Sequence, residues 1–294
     1  MKTLASTPLS IDCRGLQTIE NVAWDIGLVR ENFPGHRSAR NRNWGFLIYR
    51  VLQNSVSGSS SFCPRFIGAI GPIDVAPLEE TCLGIPVQNA DNSKRALIQF
   101  VLACGLSILE QAQLEMGDTL VISGINPLAL SVLAAAQSHG NSRILCLVPP
   151  SEARVAFRGK VEKTVLLTMD FAYSNSFDSL FDEFLASSTG KTVFIDTTGD
   201  PDLVYSMATR LNTYGRMIFC RQDADSSVMM DIRSLHHLKS AHFVYWPRVE
   251  SCEDILPWCE YILRAGRLID YKRLAAPISD LFRFFSNGED ATIR

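Results

Sequence analysis

The chain has 294 residues, of which 47% are hydrophobic and 20% are charged, and its net charge of −3 corresponds to a pI near 6.0. These proportions predict a soluble protein with a sizeable core, organised as one large domain or two modest ones. The charge provides no basic field that would attract a phosphate backbone, which argues against nucleic acid as a partner.

The eight cysteines form no C-x-x-C pair, and several lie in apolar runs such as "FVLACGL" and "RILCLV". Free cysteine behaves there as a small hydrophobe, so the pattern predicts a reducing compartment rather than a disulfide framework. The N-terminal residues lack the apolar core of a signal peptide. No unbroken apolar run reaches the roughly 18 residues that cross a bilayer. We therefore expect a cytoplasmic protein without a membrane partner.

Residues 1–92 contain short β-type runs, "WGFLIYRVL", "RFIGAIG" and "GIPV", separated by clusters of Gly, Pro, Ser and Asn. Such spacing predicts a small strand-rich domain. The pattern then changes, because apolar residues recur at helical spacing from Leu97 to Leu109, and we expect Ser93 to cap this helix.

Strands and helices alternate along the rest of the chain. The predicted strands are "TLVISG", "SRILCLV", "KTVLLT", "KTVFIDTTG" and "RMIFCR", and the predicted helices are "PLALSVLAAAQSHG", "SFDSLFDEFLAS", "PDLVYSMATRLNTYG" and "CEDILPWCEYILRAG". This alternation indicates βαβ units and an α/β fold with a doubly wound parallel sheet. The unalternating apolar runs "TLVIS" and "TVFID" predict strands that are buried on both faces.

The stretch from Gly124 to Ala129 stands where a dinucleotide fold has Gly-x-Gly-x-x-Gly. Gly124 retains the residue for the tight turn, Ala129 replaces the third glycine, and Pro127 suits a first helical turn. Asn126 replaces the second glycine, and its side chain occupies space near a diphosphate. Two readings stay open, namely a diphosphate site over Gly124, Asn126, Pro127 and Leu128, and a Rossmann unit that binds no cofactor.

No acid ends the second strand of this unit, where a carboxylate would bind the ribose hydroxyls of NAD. Val148 or Pro149 stands there, and Arg154 follows a few residues later. If a dinucleotide binds, this pattern favours NADPH over NADH, with Arg154 facing the 2′-phosphate. The alternative is that Arg154 is a solvated residue at the start of a helix.

Four segments are similar to the medium-chain dehydrogenase/reductase superfamily, whose members are alcohol dehydrogenase-like. They are "YRVLQNSVSGSSSF", "LEQAQLEMGDTLVISGINPLALSVLAAA", "VFIDTTGDPDLVYSMATRLNTYGRMIFC" and "ILRAGRLIDYKRLAAPISDLFRFF". The resemblance implies a Rossmann-type nucleotide domain over residues 93–262. It also implies a truncated, β-rich GroES-like domain over residues 1–92 that residues 263–294 rejoin. Cofactor contacts are implied for Thr198 and Gly199 of the "DTTG" segment.

Departures from the family pattern concern its zinc sites. Ser57 stands where zinc-dependent members have a cysteine ligand, and Ser60 replaces an aspartate. A hydroxyl is a poor zinc ligand beside thiolate and imidazole. The Gly-His-Glu expected nearby is missing, His36 reads as a chance match, and the four-cysteine lobe has no counterpart. We therefore predict no metal, and the histidines of "SLHHLKSAHFVYW" have no Cys or acid at ligand spacing.

The resemblance implies a zinc-independent, NAD(P)H-linked oxidoreductase acting on a small carbonyl, enone or alcohol in a biosynthetic pathway. Ser57, Ser60 and Tyr245 are the candidate proton-transfer residues, against the alternatives of a flexible loop for the serines and packing for Tyr245. The competing hypothesis is a pseudo-oxidoreductase, which serves as a partner subunit or catalyses a non-redox cyclisation or elimination. The family also implies a homodimer, and the run "AHFVYWP" is the candidate edge strand.

Purified protein should contain no stoichiometric zinc, because Ser57 replaces the ligand cysteine and the Gly-His-Glu is missing. Elemental analysis of protein prepared without chelators measures this directly. About one zinc ion per chain, as expected of a zinc-dependent site, would contradict the prediction.

Overall fold

The computed structural model describes residues 17–24, 44–50, 66–72, 85–124, 126–140, 143–148, 164–168, 183–184, 190–198, 201–211, 215–221, 240–245 and 255–270. Within these residues, strands form an antiparallel sheet and a parallel sheet. One long helix lies between them, and its contacts with both sheets form a continuous core.

The first sheet has four antiparallel strands in the order β1-β2-β3-β4. They are β1 (Gln17–Trp24), β2 (Trp44–Arg50), β3 (Phe66–Pro72) and β4 (Ile85–Val87). The short apolar runs predict β2, β3 and β4. No pattern predicts β1, since Glu20 and Asn21 interrupt its apolar residues and the register with β2 shifts between Thr18 and Glu20. That this sheet is a truncated GroES-like domain remains a prediction.

The second sheet has six strands in the order β10-β9-β8-β5-β6-β7, and every pair in it is parallel. They are β5 (Thr119–Ser123), β6 (Ile144–Val148), β7 (Thr164–Thr168), β8 (Thr192–Asp196), β9 (Arg216–Arg221) and β10 (Ser240–Tyr245). Counted from β5, this is the 3-2-1-4-5-6 order of the Rossmann fold. The predicted α/β class with a doubly wound parallel sheet is confirmed.

Helices cover both faces of this sheet. They are α1 (Ser93–Ala112), α2 (Pro127–Ser138), α3 (Pro201–Arg210) and α4 (Ile255–Asp270). Leu120 and Ile122 of β5 belong to the core with α1, α2 and α4, whereas Val121 belongs to the core with α3. Every residue of β5 and β8 is buried, which confirms that these apolar strands are covered on both sides. Of the helix predicted in "SFDSLFDEFLAS", only residues 183–184 are described, and both are helical.

Helix α1 begins one residue earlier than expected, because Asn92 rather than Ser93 is its N-cap. The side chain of Asn92 accepts a hydrogen bond from the backbone N–H of Arg95 at 2.8 Å, and Ser93 is the first helical residue. By length and composition α1 is apolar enough to cross a membrane, but 83% of its most apolar 18-residue window is buried inside the fold. It is therefore the core helix of the described residues.

Side chains of α1 pack against the antiparallel sheet and bind α4. The ring of Phe100 packs edge-on against Phe46 of β2, with centroids 6.1 Å apart. A Cβ on Gly68 of β3 would lie 2.5 Å from Phe100 Cγ, so only glycine leaves room for that ring. Gln99 Nε2 donates to the carbonyl oxygens of Gln88, at 3.0 Å, and of Ile262 in α4, at 2.8 Å. The antiparallel sheet, α1 and α4 are thereby fixed together. Because residues 271–294 lie outside the described part, their return to the first domain stays a prediction.

The four described cysteines, Cys104, Cys146, Cys220 and Cys259, are free thiols, and the first three are buried. Burial raises the pKa of Cys146 from 9.0 to about 12. The pKa of Cys104 is raised for the same reason. Because the thiolate is the reactive form, these cysteines act as small apolar core residues at neutral pH.

Helices α1 and α2 touch at Gly105, where a Cβ would lie 2.5 Å from the backbone carbon of Ser131. On an exposed helix surface, Gly→Ala stabilises by about 1 kcal/mol. Here we expect Gly105→Ala to destabilise the protein by about 1–3 kcal/mol, since the helices must move apart. Urea unfolding measures the change, and Gln111→Ala on the exposed side of α1 is the control. A stabilised Gly105→Ala variant would show that the two helices do not pack this closely.

Candidate functional site

The strand order reverses direction at β5, which lies between β6 and β8. Ligands of open parallel sheets bind outside the carboxyl ends of the strands at such a switch point. Ser123 ends β5 at this place, Gly124 and Asn126 follow it, and Thr197 and Thr198 follow β8. We call the space between these two strand ends the switch-point crevice.

Gly124 makes the tight turn that leads from β5 toward α2. Its φ is +87°, which is the left-handed region, and its N–H donates to the carbonyl of Leu147 at 2.7 Å. An added Cβ would lie 2.8 Å from Thr198 Cγ2 and 2.9 Å from Thr197 Oγ1. Both backbone conformation and lack of space therefore require glycine here. This geometry fulfils the turn role expected of the first fingerprint glycine.

Asn126 is the N-cap of α2, and its side chain spans the crevice. Its Oδ1 accepts a hydrogen bond from the N–H of Ala129 at 2.9 Å. Its Nδ2 donates to the carbonyl oxygen and to the Oγ1 of Thr197, each at 3.1 Å. Pro127 and Leu128 form the buried first turn of the helix behind it. One side chain thus joins the start of α2 to the end of β8.

A buried polar network lies beneath Asn126, centred on the fully buried carboxylate of Asp196. Its Oδ1 accepts from Ser123 Oγ at 2.8 Å, from Thr198 N at 3.1 Å and from Thr198 Oγ1 at 3.0 Å. The N–H of Thr197 donates to Ser123 Oγ at 3.0 Å, and Thr197 Oγ1 donates to the Ser123 carbonyl. Hydrogen bonds from side chains therefore connect the two strand ends beyond the last pair of the sheet.

The same carboxylate acts on the neighbouring strand. Burial raises the pKa of the Cys220 thiol on β9, and the negative charge of Asp196 raises it further. Both effects keep this sulfur protonated at neutral pH. Cys220 is therefore unsuited to act as a nucleophile beside the crevice.

The structure brings together Gly124, Asn126, Pro127, Leu128 and Thr198 of the predicted cofactor residues. Ser57, Ser60, Arg154 and Gly199 lie outside the described residues, so their roles stay predictions. Tyr245 ends β10, three strands from β5, which is about 14 Å at the usual spacing. Among the described residues, no group of three or more His, Cys, Asp or Glu is placed to hold a metal ion.

Sequence reasoning missed Ser123, Asp196 and Thr197 as parts of this site. It also treated Asn126 as a replacement for a glycine and not as a helix cap. An Asn directly before a Pro at the start of a helix is a cap signal. No comparable local signal links Ser123 to Asp196, because 73 residues separate them in the chain.

The described polar groups of the crevice are hydrogen-bonded to one another. The hydroxyls of Ser123, Thr197 and Thr198 are committed to hydrogen bonds within the network, and the Asp196 carboxylate is buried. The N-terminus of α2 contributes partial positive charge at the same place. Open parallel sheets of this strand order bind anionic ligands at such a place.

No family model matches the chain. The curated erythritol/L-threitol dehydrogenase of Mycolicibacterium smegmatis is 27% identical to it over 162 residues, which are 53% of this chain and 41% of that protein. The chain thus spans about two fifths of the length of the curated relative that it matches.

Solved structures extend the likeness to nearly the whole chain. The mitochondrial 2-enoyl thioester reductase heterodimer of Candida tropicalis matches with a TM-score of 0.56 and 12% identity, over 94% of this chain and 88% of that one. The 2R,3R-butanediol dehydrogenase of Bacillus subtilis matches with a TM-score of 0.50 and 10% identity, over 87% and 73%. Together with the strand order, these matches show that the chain has the fold of medium-chain dehydrogenases/reductases, as the resemblance implied. The relatives named here are oxidoreductases.

Proposed function

We propose that the protein is a zinc-independent oxidoreductase that uses a nicotinamide dinucleotide and acts on a small carbonyl, enone or alcohol in the cytoplasm. The observation that carries the proposal is the switch-point crevice, where the Gly124 turn leads from β5 into the start of α2. The names of the relatives support the reaction class. The serines at positions 57 and 60 of the sequence support independence from zinc.

The residues of the crevice fit a dinucleotide diphosphate in most respects. Gly124 leaves its side of the turn without a side chain, and the partial positive charge at the start of α2 suits an anion. Asn126 is the exception, because its side chain already takes the N–H of Ala129. A bound nicotinamide would supply the hydride chemistry, while the chain orients the cofactor. Proton transfer is assigned to Ser57, Ser60 or Tyr245, as a proposal from the sequence.

The same exception favours a second candidate function. The Asn126 side chain already accepts a hydrogen bond from the N–H of Ala129 in the first turn of α2. The start of this helix therefore has less need of an anionic ligand. A protein of this kind would retain the fold as a partner subunit, or for a non-redox cyclisation or elimination. Binding measurements with NADPH and NADH separate the two candidates, since only the first requires a dinucleotide.

Gly124→Ala should weaken dinucleotide binding by about tenfold or more, which corresponds to at least about 1.4 kcal/mol. The added methyl group would collide with Thr197 and Thr198 where the diphosphate approaches. Gly140→Ala is the matched control, because Gly140 also has a positive φ, of +79°, but no atom within 4 Å of a Cβ. Equilibrium dialysis measures the affinities, and thermal unfolding verifies that both variants fold. Equal losses in both variants would contradict a diphosphate site at Gly124.

NADPH should bind more tightly than NADH, and Arg154→Ala should remove the difference. A charge-assisted contact with the 2′-phosphate is worth about 1.5–3 kcal/mol, which is about tenfold to a hundredfold in affinity. Arg210→Ala is the control, because that guanidinium is bound to Ser206 within α3. Unchanged discrimination in Arg154→Ala, or equal affinities in the unmodified protein, would rule out this role of Arg154.

A homodimer formed along β10 is also part of the proposal. β10 is the outermost strand of the described sheet and is hydrogen-bonded to β9 on one side. A two-fold contact would cover its other edge.

Light scattering at micromolar concentration should give about 65 kDa, twice the 32.6 kDa of the chain. Val244→Lys should reduce the mass to that of one chain. Val165→Lys on the opposite edge strand, β7, should not. A Val244→Lys protein that remains dimeric would exclude this edge as the interface.

A further inference from the structure

The side chain of Asn126 uses its acceptor and both its donors at the mouth of the crevice. The acceptor is bound to the start of α2, and the two donors are bound to Thr197 beyond β8. The contacts with Thr197 therefore join two different elements, the start of α2 and the end of β8, across the switch point. Asn126 is only partly buried.

Asn92, the N-cap of α1, shows that capping alone does not require such contacts. Its Oδ1 likewise accepts from the N–H three residues later, at 2.8 Å, but its Nδ2 donates to the adjacent Asp91. Asn126 instead donates to a residue 71 positions away. The link across the crevice is therefore an additional property of Asn126 that capping does not explain.

We propose that Asn126 is a latch on the dinucleotide crevice, in which Oδ1 occupies the helix N–H that an anionic oxygen would use and Nδ2 ties the start of α2 to the end of β8. This inference rests on the proposed function. For a diphosphate to reach the Ala129 N–H, Oδ1 must leave it, and the bonds to Thr197 break when the side chain turns away. Asn126 is thus a positioning residue that sets the affinity for the dinucleotide.

The latch has a directional consequence for affinity. Breaking its hydrogen bonds opposes cofactor binding, so weakening the latch should tighten binding. The release would also free the carbonyl and hydroxyl of Thr197, which lie beyond β8. Cofactor binding is therefore coupled to the β8 end of the crevice, even though the latch belongs to the α2 end.

The test measures dissociation constants for NADPH and NADH by equilibrium dialysis in four variants of the full chain. Asn126→Gly removes the side chain but leaves a residue that is accepted at an N-cap, and it should tighten binding by about tenfold. Thr197→Val retains Asn126 and the branched shape but removes one acceptor of Nδ2, together with the hydrogen bond to the Ser123 carbonyl. It should tighten binding by a smaller factor, which a simple steric block at position 126 would not produce.

Two further variants serve as controls. Asn126→Asp keeps an oxygen that can cap α2 but loses the Nδ2 donors and places negative charge beside the diphosphate, so it should weaken binding. Asn92→Gly removes the equivalent cap of α1 and should leave affinity within about twofold of the unmodified protein. Thermal unfolding of each variant without ligand separates loss of fold from loss of binding.

The outcomes distinguish the latch from the proposed function. Tighter binding in both Asn126→Gly and Thr197→Val supports the latch, including the case in which the unmodified protein binds too weakly to measure. If the unmodified protein binds and Asn126→Gly binds no more tightly, the latch is overturned and the proposed function stands. If neither the unmodified protein nor Asn126→Gly binds NADPH or NADH, both the latch and the proposed function are overturned.

Discussion

The geometry of the crevice depends on the hydrogen bonds that converge on Oδ1 of the buried Asp196 carboxylate. A carboxylate removed from water is strongly unfavourable unless donors surround it. Ser123, one strand away, supplies one donor, and the backbone and hydroxyl of Thr198 supply two more. Because these donors come from both strand ends, the network fixes β5 and β8 relative to each other. The positions of Gly124 and Asn126 follow from that constraint.

Close backbone contact around α1 is the second determinant of the fold. Gly105 lets α1 approach α2, Gly68 leaves room for Phe100, and Gln99 joins α1 to α4. The two sheets therefore share a continuous core through α1. The switch-point crevice at the carboxyl ends of β5 and β8 lies on this shared core.

The combination of an intact turn with an occupied helix start is compatible with both candidate functions. The turn requires glycine whether or not a diphosphate binds, since Gly124 also packs against Thr197 and Thr198. This glycine by itself therefore does not separate the two functions. The hydrogen bond between Asn126 Oδ1 and the Ala129 N–H separates the two functions more sharply, because an anionic ligand would compete for the same N–H. The hydroxyls of Ser123, Thr197 and Thr198 are engaged in hydrogen bonds, and the Cys220 thiol is protonated at neutral pH.

Local patterns in the sequence were sufficient for the class of fold. Alternating apolar strands and amphipathic helices predicted the parallel sheet, and the runs "TLVIS" and "TVFID" predicted burial on both faces, because these properties arise from side-chain periodicity within a few residues. The turn role of Gly124 could be predicted for the same reason. β1 was missed because polar residues interrupt its pattern, and the cap of α1 was placed one residue late. The partnership of Ser123 with Asp196 and the bridge from Asn126 to Thr197 were decided only by the tertiary structure. Each joins residues more than 70 positions apart that become neighbours when β8 pairs with β5.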